Sequence, residues 1–294
     1  MALTTEQRRL RQQGLGASDM AAVLGCDLYG RTQFDVYASK VVAIEDTPDE
    51  PTVPMRIGNA LEPLCLELAS EALAKPVTPG AFLRSPEHTF LTSTLDGVLP
   101  DGLPVEAKVV MSPGKARLWG EDEDAVPDAF LIQVQTQLIV SSQRRAYVSA
   151  LIMGQHRMFE IAWNDDLAKI IVDAASVFWR DHVEPRRIPT PDGSASAGAM
   201  LASVFARVRH RNMLVASAPI EDAARRYREA HAAIRGLEKQ KEEARQAIMA
   251  AVGESEGVQG AGWRALWQEV PAGWVESYAR KAYRKLDLRE VKAR

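Results

Sequence analysis

Residues Leu91–Val110 run LTSTLDGVLPDGLPVEAKVV, and the fold class turns on how they pair. Two β-rich runs, Phe90–Leu99 and Leu103–Val110, flank a turn at Pro100–Gly102, which predicts two neighbouring strands. Alternation along the second strand puts Glu106 and Lys108 on one face, while Asp96 stands before Gly97 at the point where the first strand would turn. Pairing the strands would bring Asp96 and Glu106 within reach of one ion. Adjacent carboxylates repel unless a cation neutralises them, and hard oxygen ligands suit Mg²⁺, with Mn²⁺ as a substitute. Lys108 would then orient or deprotonate a water, or stabilise charge on a phosphate. On spacing alone the same residues also fit a solvated strand. The flanking Val105, Ala107, Val109 and Val110 favour a largely buried one, in which an unpartnered Glu and Lys are costly and a metal site supplies a reason for them.

Outward from this stretch, Leu61–Leu73 has apolar residues at helical spacing, and Glu62 at its start could add a third carboxylate from outside the sheet. Ser18 and Asp19 cap a short apolar run to Leu24, and Thr32–Val42 forms a second short helix. Ala129–Ser141 predicts a helix, Arg145–Met153 and Arg157–Trp163 a hairpin around Gly154, and Asp165–His182 another helix. This order predicts an α/β or α+β core, with helices covering a mixed sheet.

The chain has 294 residues and a net charge of −3, so nucleic-acid binding has to be argued from local clusters. Its composition excludes collagen-like and wholly disordered chains. No run is apolar enough to span a membrane, and Met1–Arg11 has no secretory signal. Two cysteines, Cys26 and Cys65, make neither a disulfide framework nor a zinc site by themselves, so a reducing cytoplasm is expected. Breaks at Ile44–Pro54, Pro185–Gly198 and Gly253–Gly262 divide the chain. The expected parts are a core over 1–189, a linker with a short helix over 190–219, a long amphipathic helix over 220–252 and a small β, basic tail over 253–294.

The motifs resemble the YqaJ or lambda-exonuclease family of phage recombination nucleases, within the PD-(D/E)XK superfamily. From about Gln7 to Trp163 the pieces fall in the family's order: RQQGLGASDMAAVLG at Arg11–Gly25, MRIGNALEP at Met55–Pro63, LTSTLDGVL at Leu91–Leu99, VEAK at Val105–Lys108 and VPDAFLIQVQTQLIV at Val126–Val140. The resemblance implies a restriction-endonuclease-like core with a C-terminal helical extension. It implies Mg²⁺ on Asp96 and Glu106, with Glu62 as an additional or water-mediated ligand, and Lys108 positioning the attacking water. Gln133, ahead of Gln135, would fix the lysine or that water. Arg11 and Ser18 fall where the family holds a terminal 5′-phosphate. The implied activity is a 5′→3′ exonuclease on double-stranded DNA ends, with a single-strand annealing protein as partner and a ring-shaped homo-oligomer. Leu95, Ile57, Phe130 and Val109-Val110 depart from the family pattern, but none removes a catalytic group. An endonuclease of the same fold and a non-cleaving DNA-end adaptor are the alternatives.

Other features admit two readings each. Trp119 would stack on a base or pack in the core, and Lys115 and Arg117 would reach phosphates or be solvated. His88 fits a surface histidine better than a site residue. Arg144-Arg145, Arg186-Arg187 and Arg207, Arg209, Arg211 are local basic clusters, and Pro271–Arg294 holds seven basic residues against three acidic. Trp263 and Trp267 predict a small β-hairpin core. Along Ile220–Ala251 apolar residues recur in steps of three and four, broken by Lys241 and weakened by alanines. That helix either packs on a neighbour such as Ala199–Val215 or serves as a docking arm for a partner or another subunit.

Overall fold

A computed structural model describes residues 5–42, 51–120, 126–204, 214–270, 273–275, 278–280 and 283–290. Most of the expected Ile44–Pro54 loop, the cluster Arg207, Arg209, Arg211 and the side chains of the basic tail lie outside the described residues. The chain divides into two compact units, Met1–Val208 and Arg209–Arg294.

In the first unit the order is α1 (Thr5–Gln12), β1 (Leu15–Gly16), a 3₁₀ turn (Ala17–Asp19), α2 (Met20–Val23), α3 (Gln33–Val41) and α4 (Val53–Leu73). Short strands β2 (Thr78–Pro79), β3 (Phe82–Arg84), β4 (Leu91–Thr94) and β5 (Gly97–Val98) lead to β6 (Pro104–Val110). Then come α5 (Pro113–Ala116), α6 (Asp128–Ser141), β7 (Arg145–Ile152), β8 (Gln155–Ala162), α7 (Asp165–Phe178) with a π turn at Trp179–Val183, and α8 (Ala195–Val204).

The main sheet has the order β2-β5-β6-β7-β8, with β6 and β7 parallel and the other pairs antiparallel. A smaller sheet has the order β1-β4-β3. The single strand expected over Phe90–Leu99 is thus two pieces in different sheets, parted at Leu95-Asp96. The break takes Asp96 out of the ladder and leaves its side chain free to face β6.

Two helices sandwich the main sheet. On one face, Val134 and Leu138 of α6 pack with Val148, Ala150 and Phe159. Each such large side chain contributes about 1.5–3 kcal/mol on burial. On the other face, Ala69 of α4 packs with Leu99 and Val105. Gly97 allows the close approach of α4: a Cβ there would stand 2.6 Å from Val77 Cγ1 and 2.9 Å from Leu66 Cδ2. The hairpin between β7 and β8 turns on Met153 and Gly154, both at positive φ, as a two-residue type I′ turn requires. The hydroxyl of Thr32 accepts from the Asp35 backbone N–H and caps α3 as its spacing predicts.

The second unit holds α9 (Ala218–Val252), β9 (Gly257–Gly260), β10 (Trp263–Val270), β11 (Gly273–Val275), β12 (Tyr278–Arg280) and β13 (Tyr283–Glu290). An antiparallel sheet β13-β10-β9 carries the expected Trp263 strand, and β11 pairs with β12. The short helix expected near Ala199–Val215 is α8, which starts earlier, packs against α3 and places Ala197 in the core of the first unit. Among the described residues no helix is long and apolar enough to cross a membrane.

Candidate functional site

Strand register builds the centre of the site. Gly97 pairs with Val105 across β5 and β6, so Asp96 lies one step further on, opposite Glu106. Asp96 Oδ2 accepts from the Ala107 backbone N–H at 2.9 Å. Glu106 and Lys108 share the face of β6 that α6 covers. Lys108 Nζ donates to Glu106 Oε1 at 2.6 Å and to Gln133 Oε1 at 3.0 Å, and sits 4.8 Å from the centre of the Phe130 ring. Gln133 Nε2 donates to Glu106 Oε1 at 2.6 Å. Gln137 Nε2 donates to Glu106 Oε2, so both carboxylate oxygens are held, and Glu106 is only 2% exposed.

Gln137 is the functional neighbour that sequence reasoning missed. The signal for it was helical spacing: Gln133 and Gln137 are four residues apart and share a helix face, whereas Gln135 points elsewhere. Gln135 instead bonds the Ala162 carbonyl and the Asn164 backbone N–H, which ties α6 to the end of β8.

Burial first, and the charge of Glu106 second, push the Asp96 carboxyl up to about 8, against the Ala107 N–H and Lys108, which favour the charged form. Burial works against the Lys108 ammonium, but Glu106, by charge and hydrogen bond, and Asp96 outweigh it and hold the amine above its ordinary range. Glu62 is also raised, by burial and then by Glu106. It lies one turn before Cys65 on the stripe of α4 that meets the sheet, and Cys65 Sγ stands 3.9 Å from the Lys108 carbonyl oxygen. Glu62, Asp96, Glu106 and Lys108 therefore feel one another's charge.

These groups fit a divalent cation in part. Two hard carboxylates face each other, and mutual repulsion with burial keeps a proton on Asp96, a charge excess that a cation would relieve. Glu62, expected as an additional or water-mediated ligand, does not join Asp96 and Glu106 directly: among the described residues no group of three His, Cys, Asp or Glu is placed to hold a metal ion. The reason is that Glu106 is committed to Lys108, Gln133 and Gln137, while Glu62 approaches from α4 on the opposite side of the sheet. Asp96 and Glu106 remain as the inner donors, with Glu62 farther out.

The other predicted residues are dispersed. Trp119 is 6% exposed, with ring centres 5.5 Å from Phe130 and 5.2 Å from Phe159. It is a core residue, which overturns its assignment as a base-stacking contact: no face is left for a base. Lys115 Nζ lies 3.2 Å from the centre of the exposed Tyr29 ring, and Arg117 is exposed. Tyr29 also bears on the charge of Lys108, so Lys115 stands at the rim of the cluster. His88 packs on Phe90.

Arg11 and Ser18 are exposed, beside a network that sequence reasoning did not foresee. Buried Asp19 pairs with Arg31 at 2.6 Å and Lys40 at 2.7 Å and accepts from the Gly16 N–H, and Lys40 also donates to the Arg11 carbonyl. Burial opposes the Asp19 charge, but Lys40 and Arg31 overcome it and bring the carboxyl down to about 2. The Ser18-Asp19 segment is therefore pinned by an internal ion-pair network that keeps the loop's shape and leaves the Ser18 hydroxyl outside it.

Residues 7–144 match the family described as the YqaJ-like viral recombinase domain. The uncharacterized protein YqaJ of Bacillus subtilis (strain 168) is 25% identical over 273 residues, which cover 91% of this chain and 84% of that one. The crystal structure of LHK-Exo in complex with dAMP superposes with a TM-score of 0.50 at 16% identity, covering 69% of this chain and 98% of that chain. A second structure of LHK-Exo, the alkaline exonuclease from Laribacter hongkongensis, gives 0.49 at 16% identity, over 62% of this chain and 94% of that one. The likeness is one of fold: a mixed sheet flanked by helices, of the restriction-endonuclease-like kind.

Proposed function

We propose that this chain, whose residues 7–144 match the family described as the YqaJ-like viral recombinase domain, is a Mg²⁺-dependent DNA exonuclease. It acts 5′→3′ on double-stranded ends and leaves 3′ single strands for annealing-type recombination with a single-strand annealing partner. The observation that carries this reading is the meeting of Asp96, Glu106, Lys108 and Gln133, with Glu62 nearby, on the central strand of the main sheet.

Asp96 and Glu106 would hold the cation. Once bound there, a divalent ion supplies Lewis acidity toward a phosphodiester oxygen and lowers the pKa of water. The protein's own groups do the rest. Lys108 stays an ammonium, because Glu106 and Asp96 outweigh its burial, so it acts as a donor that orients water and meets negative charge growing on the phosphate. Gln133 bridges Lys108 and Glu106, and Gln137 holds the second oxygen of Glu106, so neither partner swings on substrate binding. Arg11 and Ser18 would receive the terminal 5′-phosphate, with Lys115 and Arg117 along the duplex.

The test compares linear duplex, with and without a 5′-phosphate, against closed circular duplex, each in Mg²⁺ or chelator. Mg²⁺-dependent loss from ends alone is expected. Cutting of the circle would replace this reading with an endonuclease, and intact DNA throughout would replace it with an end-binding adaptor. Arg11→Ala is expected to bring the ratio of rates on phosphorylated and unphosphorylated ends toward one. A ratio equal to that of the wild type would remove Arg11 from end recognition.

A further inference from the structure

Helix α9 leaves an apolar seam uncovered. Every residue from 214 to 244 is exposed, including Ile220 (59%), Tyr227 (73%), Ile234 (53%) and Leu237 (62%). The helix packs on β9 and β10, and burial begins only in its last turns, at Arg245, Ile248, Met249 and Val252. Intrahelical pairs such as Arg226–Asp222, Arg225–Glu229 and Lys239–Glu243 support it, but Gly236 weakens its middle. Most helical stability in proteins comes from packing an apolar face, and among the described residues nothing covers this face from Ile220 to Ala244.

The order of residues on the seam says what covers it. Numbered as heptads, the a positions are large, from Ile220 to Ile248 with Lys241 among them, and the d positions are alanine apart from Leu237. In a parallel pair, like positions meet. Lys241 would face Lys241, and layers of large side chains would alternate with hollow alanine layers. In an antiparallel pair, a meets d. Centred between Arg235 and Gly236, that pairing sets Ile220 against Ala251 and Tyr227 against Ala244. It sets Ile248 against Ala223 and Lys241 against Ala230, and the central layer is Ile234 with Leu237. Every outer layer then combines one long side chain with one alanine, and Lys241 has room to carry its amine out to water. The flanks agree: His231 faces the partner's Glu238, and Arg226 and Arg245 each face an alanine, so no like charges meet.

We propose that this surface takes a second copy of the same chain, with the two α9 helices antiparallel about a twofold axis between Arg235 and Gly236. The contact is isologous and closed, because each layer recurs with the chains exchanged. The pairing is independent of the nuclease chemistry.

The full chain is expected to show an even multiple of 32.3 kDa by light scattering at micromolar concentration. Ile234→Glu with Leu237→Glu in one chain should halve the measured mass. Crosslinking sets the direction without relying on that variant. Tyr227→Cys and Ala244→Cys are made in separate chains and treated with a short bismaleimide, alone and mixed, and the linked peptides are mapped. Only the mixture should join residue 227 to residue 244. Joining of residue 227 to itself would mean a parallel pair and overturn the proposal. A wild-type mass that the double variant leaves unchanged, with no link in the mixture, would also overturn it, leaving the seam to some other protein.

Discussion

Asp96→Asn is expected to reduce turnover to that of a chelator-treated sample and, at the same time, to make the metal-free protein more stable at alkaline pH. The carboxyl is buried opposite Glu106, and both burial and that neighbour push its pKa from 3.8 to about 8. In the unfolded chain it ionises near 3.8. Between those values the folded state binds the extra proton, so stability falls as pH rises through that window. Over pH 5 to 8 the loss from this one group is about 2–4 kcal/mol. Asparagine keeps the shape and the acceptor for the Ala107 N–H but has no proton to lose, so that part of the loss disappears. Denaturant unfolding of wild type and variant in chelator at pH 5 and pH 8 measures the difference. A cation bound to the wild type reverses the order by neutralising the same pair, and its affinity should rise with pH as the proton leaves. An active Asp96→Asn would exclude Asp96 as a ligand, and equal pH slopes in the two proteins would exclude a carboxyl raised by burial and by Glu106.

That coupling is legible in outline from the sequence, because alternation and a turn suffice to put Asp96, Glu106 and Lys108 on neighbouring strands. Gln133 is legible from the motif, and Gln137 follows from helical periodicity applied to the same helix. Other features are not, because they depend on contacts far apart in sequence. The Asp19 network draws Arg31 and Lys40 from a loop and a helix with no local pattern to announce them. Trp119 reads equally as a base-stacking or a core residue because its loop is polar, and only Phe130 and Phe159, coming from α6 and β8 to enclose it, decide for the core. The break at Leu95-Asp96 is invisible to a period-two reading, since it arises from competition between two sheets for one run of chain. Glu62 stays out of direct reach of the pair for a related reason. Counting acids near one point ignores the donors that take up their oxygens, and Gln137 is such a donor.

Lys108→Met should fold and fail to cleave. Methionine keeps the apolar stem beside Phe130, and Glu106 keeps the amides of Gln133 and Gln137, so its carboxylate is not left without donors as a lone buried charge would be. What disappears is the ammonium, and its loss should lower the single-turnover rate on linear duplex by about 10²–10³-fold. Lys108→Arg then separates two roles for that amine. Arginine cannot give up its proton in a protein, so a lysine acting as general base would be replaced by a dead side chain, and both variants would be equally inactive. A lysine acting as a charged donor is replaced by a larger, planar donor that still meets the phosphate, so arginine should retain a measurable part of the rate that methionine loses. The amine of Lys108 is held above its ordinary range by Glu106 and Asp96 despite its burial, and that favours the donor. The wild-type rate should accordingly show no rise from lysine deprotonation through neutral pH, and equal inactivity of the two variants would return Lys108 to the role of base.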